Sequence, residues 1–181
     1  ADVHLLSTYC FLSEEEKVNF ASQDQAYLIK EIHEYDFLNV VGSQRVKLQS
    51  ATGMVSNWMW YFQRNDAFLR NEWSNYTNWP YKNNIPSNIE FDSTYQLYKS
   101  GDYSSANRRP ILETLGIVFG GDYREVSMPR GVYDYVEKYT RTQGFAEEGL
   151  YCYNFSLNTS PFEYQPSGAV NTGRFKNIEL D

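Results

Sequence analysis

The chain has 181 residues, a length that suits one domain with a substantial core. Its 16 basic and 23 acidic residues give a net charge of −7, which argues against direct binding of DNA or RNA because phosphate contacts need a basic face. Aromatic residues make up 17% of the chain, and this richness is typical of β-structure and of extensive interfaces.

The cysteines and the lengths of the apolar runs indicate the cellular compartment in which the protein is made. Cys10 and Cys152 are too few for a disulfide framework, and each lies in an apolar, strand-like run, which predicts buried reduced thiols and an intracellular site of synthesis. The sequence has no apolar run of about 18 residues and no basic N-terminus before an apolar core, so it predicts neither a membrane span nor a signal peptide. Because the chain starts at Ala1 within an apparent strand, we expect a fragment.

The first predicted elements are a strand and a helix. Val3–Leu12 is β-branched and aromatic with few charges, which predicts a mostly buried strand. Ser13 and Glu16 have the spacing of a capping box, so we expect a short helix near residues 14–22. The periodicity leaves open whether residues 28–32 continue a helix or become extended.

Two alternating segments follow. Val46 and Leu48 alternate with polar residues, which predicts a half-buried strand, and residues 54–63 continue with period two. In that run Ser56, Trp58, Trp60 and Phe62 share one face. We favour sheet core for this face, with a sugar-stacking platform as the alternative.

The second half of the chain alternates loops and strands. Residues 64–110 are polar and weakly periodic, which predicts an exposed functional excursion. Residues 111–119 predict a strand that turns at Gly120-Gly121-Asp122 into a return strand. Residues 129–139 predict a short helix or turn, and residues 151–157 predict a strand with one aromatic face. The pattern as a whole predicts an all-β Greek-key or jelly-roll sandwich with long loops.

The sequence gives little support for a catalytic or metal-binding site. His4 and His33, the only histidines, are too far apart in sequence to form the local ligand cluster of a cupin-type metal enzyme. Glu14, Glu15 and Glu16 are explained as favourable charges at a helix start. Ser167 lacks a strand–elbow–helix context and a nearby histidine, so we read it as a turn residue. We therefore predict neither an enzyme nor a cofactor.

Three short acceptor patterns for N-glycosylation begin at Asn75, Asn154 and Asn158. Such patterns recur by chance, and a protein made in the cytoplasm does not meet the transferase. We expect all three to be unused.

Two separated segments carry a family resemblance. Residues 9–12, followed by residues 13–21 and 26–29, resemble a strand that leads into a helix in the second jelly roll of the major capsid protein of nucleocytoplasmic large DNA viruses. Residues 151–157 and then 165–171 are similar to that family's tyrosine-rich strand and its Gln-Pro-Ser-Gly signature, which ends in Asn. Gly173 stands where the family commonly has serine, a mild departure. The structural motif comprises Gln165, Pro166, Ser167, Gly168, Asn171 and Arg174.

We single out Arg174 within this motif, because a guanidinium can tie carbonyls or a carboxylate across a loop; the alternative is an ordinary surface arginine. The tryptophan-rich residues 58–80 look most like capsid proteins of algal viruses related to the mimiviruses. The resemblance implies that residues 1–181 are a single, truncated C-terminal jelly-roll domain.

The resemblance further implies a structural protein of an icosahedral capsid. Such proteins form homotrimeric, pseudo-hexagonal capsomers, so the expected partners are further copies, neighbouring capsomers and minor capsid proteins, with neither direct nucleic-acid contact nor a membrane span. The expected location is the virion, assembled in the host cytoplasm. The alternative is a carbohydrate-binding jelly-roll module that uses Trp58, Trp60, Trp73 or Trp79.

Overall fold

The computed structural model describes residues 2–48, 53–68, 70–80, 108–143 and 146–181. The chain divides into two compact units, Ala1–Glu31 and Ile32–Asp181. Its described part is mostly β, with antiparallel sheets and two short α-helices. No helix in these ranges is long and apolar enough to cross a membrane.

The first unit contains helix α1, Glu14–Ser22, and confirms the predicted capping box. The backbone N–H of Ser13 donates to Glu16 Oε2 at 2.9 Å, and the N–H of Glu16 donates to Ser13 Oγ at 3.4 Å. These two bonds satisfy donors that the first helical turn leaves without intrahelical partners. The bond from the Ser13 backbone also lowers the pKa of the Glu16 carboxyl.

The predicted strand at Val3–Leu12 is wrong. Residues 2–12 contain no strand, and their apolar side chains are exposed, as in Leu6 at 97% and Phe11 at 96%. Cys10 is exposed as well, so the prediction of a buried thiol holds for Cys152 alone. A composition rich in β-branched and aromatic residues shows that a segment suits a half-buried sheet. A strand forms only where a neighbouring strand completes its backbone hydrogen bonds. The ambiguous residues 28–32 form neither helix nor strand.

The described residues of the second unit form three antiparallel sheets. A four-stranded sheet has the order β1-β8-β4-β5, and two-stranded sheets pair β2 with β7 and β3 with β6. The strands are β1 Val46–Leu48, β2 Met54–Val55, β3 Asn57–Tyr61, β4 Thr114–Phe119, β5 Asp122–Pro129, β6 Leu150–Asn154, β7 Val170–Asn171 and β8 Ile178–Leu180. A π-helical turn, Val132–Val136, continues into helix α2, Glu137–Arg141, and confirms the helix predicted after the hairpin.

The β4–β5 hairpin follows from its two glycines. Gly120 and Gly121 have φ angles of 65° and 102°, the left-handed values that a tight two-residue hairpin loop needs, and Phe119 pairs with Asp122 across the turn. Strand β4 begins at Thr114, later than predicted, because its partner β5 ends at Pro129, where the chain turns into the helical segment that follows.

The predicted excursion is described only in part. Residues 64–68, 70–80 and 108–110 contain neither helix nor strand, as expected, whereas residues 81–107 lie outside the described residues. The described portion is held by a buried carboxylate: Asp66 is 3% exposed and accepts from Arg64 Nε and Arg70 Nε, each at 2.9 Å.

The core is aromatic and lies between the four-stranded sheet and the β3–β6 pair. Its buried side chains come from β4, β6, β8 and the π-helical turn, and they are Leu115, Ile117, Phe119, Tyr133, Tyr151, Tyr153 and Ile178. Trp58 and Trp60 are paired in register with Tyr153 and Tyr151 and pack against this core. The core interpretation of the tryptophan face is therefore confirmed, and a sugar platform at Trp58 and Trp60 is wrong.

Truncation of Trp60 tests this core assignment. Because the indole packs edge-on against Tyr133 at 5.4 Å between ring centroids, we expect Trp60→Ala to lower the free energy of unfolding by about 3–5 kcal/mol. Denaturant unfolding followed by far-UV circular dichroism measures the change. Trp73→Ala, at a side chain that is 64% exposed, is the matched control and should cost under about 1 kcal/mol. Equal losses in the two variants would contradict the assignment.

An ion pair joins two residues that lie next to the neighbouring strands β1 and β8 of the four-stranded sheet. Arg45 Nη2 donates to Asp181 Oδ2 at 2.7 Å, and the hydroxyl of Tyr123 donates to the same oxygen. These bonds lower the pKa of the Asp181 carboxyl. The stabilisation by the ionised carboxylate is therefore present above the ordinary carboxyl pKa of about 3.9 and is lost as the pH falls through the lowered value.

An NMR titration of the Asp181 carboxyl carbon checks this direction. We expect a midpoint below the ordinary value of about 3.9, and Arg45→Met should move it upward because the guanidinium is the main cause of the shift. Lys17→Met, in helix α1, is the control and should leave the midpoint unchanged. A midpoint that does not respond to loss of Arg45 would show that the ion pair does not form.

Candidate functional site

The predicted motif lies in the segment that follows β6, residues 155–178, which we call the closing segment. It begins where β6 ends, because the N–H groups of Phe155 and Ser156 both donate to the carbonyl of Ser56, at 2.9 and 3.2 Å. Two amides on one carbonyl break the regular ladder, and the strand therefore stops at Asn154, earlier than predicted.

Ser167 ties the middle of the closing segment back to its start. Its hydroxyl donates to the carbonyl of Asn158 at 2.9 Å and accepts from the N–H of Asn158, also at 2.9 Å. The N–H of Leu157 donates to the Ser167 carbonyl at 3.3 Å. The Ser167 hydroxyl is thus engaged in both directions, and the assignment of Ser167 as a turn residue stays a prediction.

Gly168 is required by a close backbone approach. It has a φ of +137°, and a Cβ built on it would lie 2.9 Å from the Phe155 carbonyl oxygen and 3.3 Å from Ser156 Cα. Both the backbone conformation and the space available therefore exclude a side chain at this position.

Alanine substitutions at Gly168 and at Gly53 separate the cost of the positive φ angle from the cost of the steric clash. Gly53 has a nearly identical φ of +139° with nothing within 4 Å of a built Cβ, so Gly53→Ala reports the conformational strain alone. We expect Gly168→Ala to destabilise the protein by about 1–3 kcal/mol more than Gly53→Ala, because the methyl group collides with backbone atoms. Denaturant unfolding of both variants measures the difference. Equal losses would contradict the close approach.

Asn171 and Thr172 fasten the end of the closing segment to β2. The Asn171 Oδ1 atom accepts from the Gly173 N–H at 3.1 Å and caps a 3₁₀ turn, Thr172–Arg174. Thr172, which is 2% exposed, donates from both its N–H and its hydroxyl to the Gly53 carbonyl, each at 3.1 Å. Residue-type reasoning missed Thr172, although a hydroxyl residue directly after an Asn cap is a signal for such a turn.

The other three predicted motif residues are exposed. Gln165 and Pro166, directly before Ser167, are exposed at the surface. Arg174 is exposed and makes no hydrogen bond or ion pair to the part of the chain that the structure describes. Among the described residues Arg174 is therefore an ordinary surface arginine. The predicted bonding of its guanidinium to carbonyls or a carboxylate across the loop stays a prediction. The adjacent Phe175 packs on Phe119, with ring centroids 4.6 Å apart.

The buried phenols and thiol near the motif are structural. Burial raises the pKa of the Cys152 thiol and of the Tyr133 and Tyr153 phenols, and it raises the pKa of Tyr151 to about 12. The Tyr133 hydroxyl donates to the Leu115 carbonyl at 2.8 Å, and that of Tyr153 donates to Glu125 at 2.6 Å. These groups are protonated near neutral pH and so lack the activated state that a nucleophile needs.

A cavity of about 500 Å³ lies between β5, α2 and β6. Among its lining residues, Glu137 accepts from the N–H and the side-chain amide of Asn154, at 3.1 and 2.9 Å. Across the described ranges, no group of three His, Cys, Asp or Glu side chains could hold a metal ion.

Two of the three glycosylation patterns place their asparagine inside the fold. Asn75 is 3% exposed and its amide nitrogen donates to Glu72 and to the Trp79 carbonyl, at 2.8 and 2.6 Å. Asn154 is engaged by Glu137. Neither amide is presented to an enzyme in the folded chain. Asn158, in the third pattern, is partly exposed.

Comparison with known proteins gives a consistent result. A family model described as large eukaryotic DNA virus major capsid protein matches residues 16–181. The major capsid protein of Paramecium bursaria Chlorella virus 1 is 26% identical to this chain in an alignment 182 residues long. That alignment covers 95% of this chain. The chain spans 39% of that relative's length.

Solved structures agree on the fold. A quasi-atomic model of the capsid of the same virus, PBCV-1, matches with a TM-score of 0.58 at 21% identity, covering 94% of this chain and 41% of the capsid chain. The Faustovirus major capsid protein matches with a TM-score of 0.52 at 13% identity, covering 76% of this chain and 26% of that one. The described fold is therefore similar to part of a double jelly-roll capsid protein.

Proposed function

The chain belongs to the large eukaryotic DNA virus major capsid protein family, whose members are structural proteins of the viral capsid, and we propose that it forms the second jelly roll of such a subunit. The observation that carries this proposal is a family match over residues 16–181 in a chain whose described part is mostly β, with antiparallel sheets. Coverage of 41% of a double jelly-roll capsid chain supports one jelly roll of two. We propose that residues 1–181 are part of one such domain.

The proposed mechanism is burial of complementary apolar surface between subunits. The exposed apolar side chains of the N-terminal residues support it, because exposed apolar surface of this kind often marks a protein–protein contact. They include Val3, Leu5, Leu6, Tyr9 and Phe11, each at least 79% exposed. Covering them in an assembly would gain roughly 25 cal/mol for each Å² of apolar surface removed from water.

Finer features of the proposal rest on the family resemblance. We propose homotrimeric, pseudo-hexagonal capsomers in an icosahedral shell, which contact neighbouring capsomers and minor capsid proteins and assemble in the host cytoplasm. The net charge of −7 supports a shell that makes no direct contact with nucleic acid. The tryptophan-rich residues 58–80 support a place among the algal viruses related to the mimiviruses. A tower or inter-subunit role for residues 64–110 is part of the same proposal.

The oligomeric state of the full-length protein tests this function. We expect light scattering coupled to size-exclusion chromatography to give three copies per particle. Phe11→Asp should shift the population towards monomers by more than tenfold in association constant, since a charge at a desolvated contact costs more than about 1.4 kcal/mol. The control, Ser22→Asp at the end of α1, should remain trimeric. A wild-type protein that stays monomeric at high concentration would overturn the proposal.

A further inference from the structure

Two aromatic side chains on the excursion, Phe68 and Trp73, are exposed and lie outside the core cluster. Phe68 is 49% exposed and Trp73 is 64% exposed, and their ring centroids lie 6.4 Å apart with 44° between the ring planes. We call Phe68 and Trp73 the aromatic pair. Unlike Trp58 and Trp60, which pack against the core, these rings present apolar surface to water.

The aromatic pair is held in place before any ligand arrives. The Trp73 indole N–H donates to Asn71 Oδ1 at 3.0 Å, and Gln63 Nε2 donates to the Trp73 carbonyl at 2.7 Å. Two residues before Phe68, Asp66 is 3% exposed and joins Arg64 and Arg70. Binding to a surface that is already ordered costs little conformational entropy.

Uncharged polar groups flank the pair. Gln63 and Asn71 are exposed, and each uses one end of its amide to hold Trp73. The other ends, Gln63 Oε1 and Asn71 Nδ2, make no hydrogen bond to the residues that the structure describes. One free acceptor and one free donor beside an aromatic ring match the hydroxyl groups of a sugar, each of which both donates and accepts.

The size of the surface favours a small ligand over a protein. A fully buried aromatic side chain contributes about 150–250 Å², so two half-exposed rings offer roughly 200–300 Å². A stable protein interface needs about 800 Å² from each partner. The aromatic pair alone is therefore too small for a subunit contact, whereas one or two sugar rings would cover it.

We propose that the aromatic pair binds a pyranose ring of a neutral oligosaccharide, which stacks on Trp73 beside Phe68 while its hydroxyls bond to Gln63 and Asn71. The apolar C–H face of the sugar lies against the indole. This activity goes beyond the proposed capsid role and does not depend on the oligomeric state.

Ligand-observed saturation-transfer NMR on the full-length protein tests the proposal, with cellohexaose and mannohexaose as probes. We expect saturation transfer from the protein to at least one of them. Trp73→Ala should weaken that binding by roughly tenfold or more, as loss of a stacking contact of about 1.4 kcal/mol requires, and Trp73→Phe should restore part of it. Tyr139→Ala, at a tyrosine that is 90% exposed on α2, is the control and should bind as wild type does. Circular dichroism and the unfolding midpoint establish that the variants are folded.

Three results would overturn the proposal. They are no transfer to either sugar, equal binding by Trp73→Ala and wild type, and loss of oligomers in Trp73→Ala without any change in sugar binding, which would identify a protein contact. These outcomes are distinct from failure of the capsid assignment. If the protein is a trimer that binds neither sugar, the capsid role stands and the sugar-binding proposal fails. If it is a monomer that binds sugar through Trp73, the sugar-binding proposal stands and the capsid assignment fails.

Discussion

The structure depends on the packing of aromatic side chains between the four-stranded sheet and the β3–β6 pair. Trp58 meets both Phe119 and Phe155 edge-on, at 5.7 and 5.0 Å between ring centroids, and Trp60 meets Tyr133 at 5.4 Å. Such edge-to-face pairs add about 0.5–1.5 kcal/mol each beyond the area that they bury. Because backbone pairing joins strands only within a sheet, these aromatic contacts hold the separate sheets together.

The closing segment adds aromatic side chains to that core. We therefore assign a structural role to the Gln-Pro-Ser-Gly motif that lies within it. Phe155 and Phe175, at its two ends, both pack on Phe119. The hydroxyl of Ser167 and the bare backbone of Gly168 allow the segment to fold back on itself between those anchors. Ser167 and Gly168 therefore help to position aromatic side chains, which is a structural role of the kind expected in a capsid protein.

Much of the fold follows from local pattern. The capping box at Ser13 and the double glycine of the β4–β5 hairpin were predictable, because each is decided by a few adjacent residues. The alternating tryptophans predicted the core face, since period two assigns every second side chain to the same side. Within the candidate site, the sequence context predicted a local structural role for Ser167, and its hydroxyl bonds to the backbone of Asn158.

What could not be predicted depends on distant partners. Val3–Leu12 has strand composition, yet in the described chain it has no strand, because composition does not supply a neighbour to complete its hydrogen bonds. Thr172 was missed because its bonds go to Gly53, far away in sequence. Arg174 has donors suited to a tie, but sequence does not show whether an acceptor lies within reach.

Hydrogen–deuterium exchange on assembled particles and on dissociated full-length subunits tests the central claim most directly. If this chain is a capsid jelly roll whose exposed apolar residues are covered on assembly, amides 3–12 will exchange markedly more slowly in the particle, while β6, which is already in the core, will not change. Equally fast exchange of residues 3–12 in both states would contradict the claim.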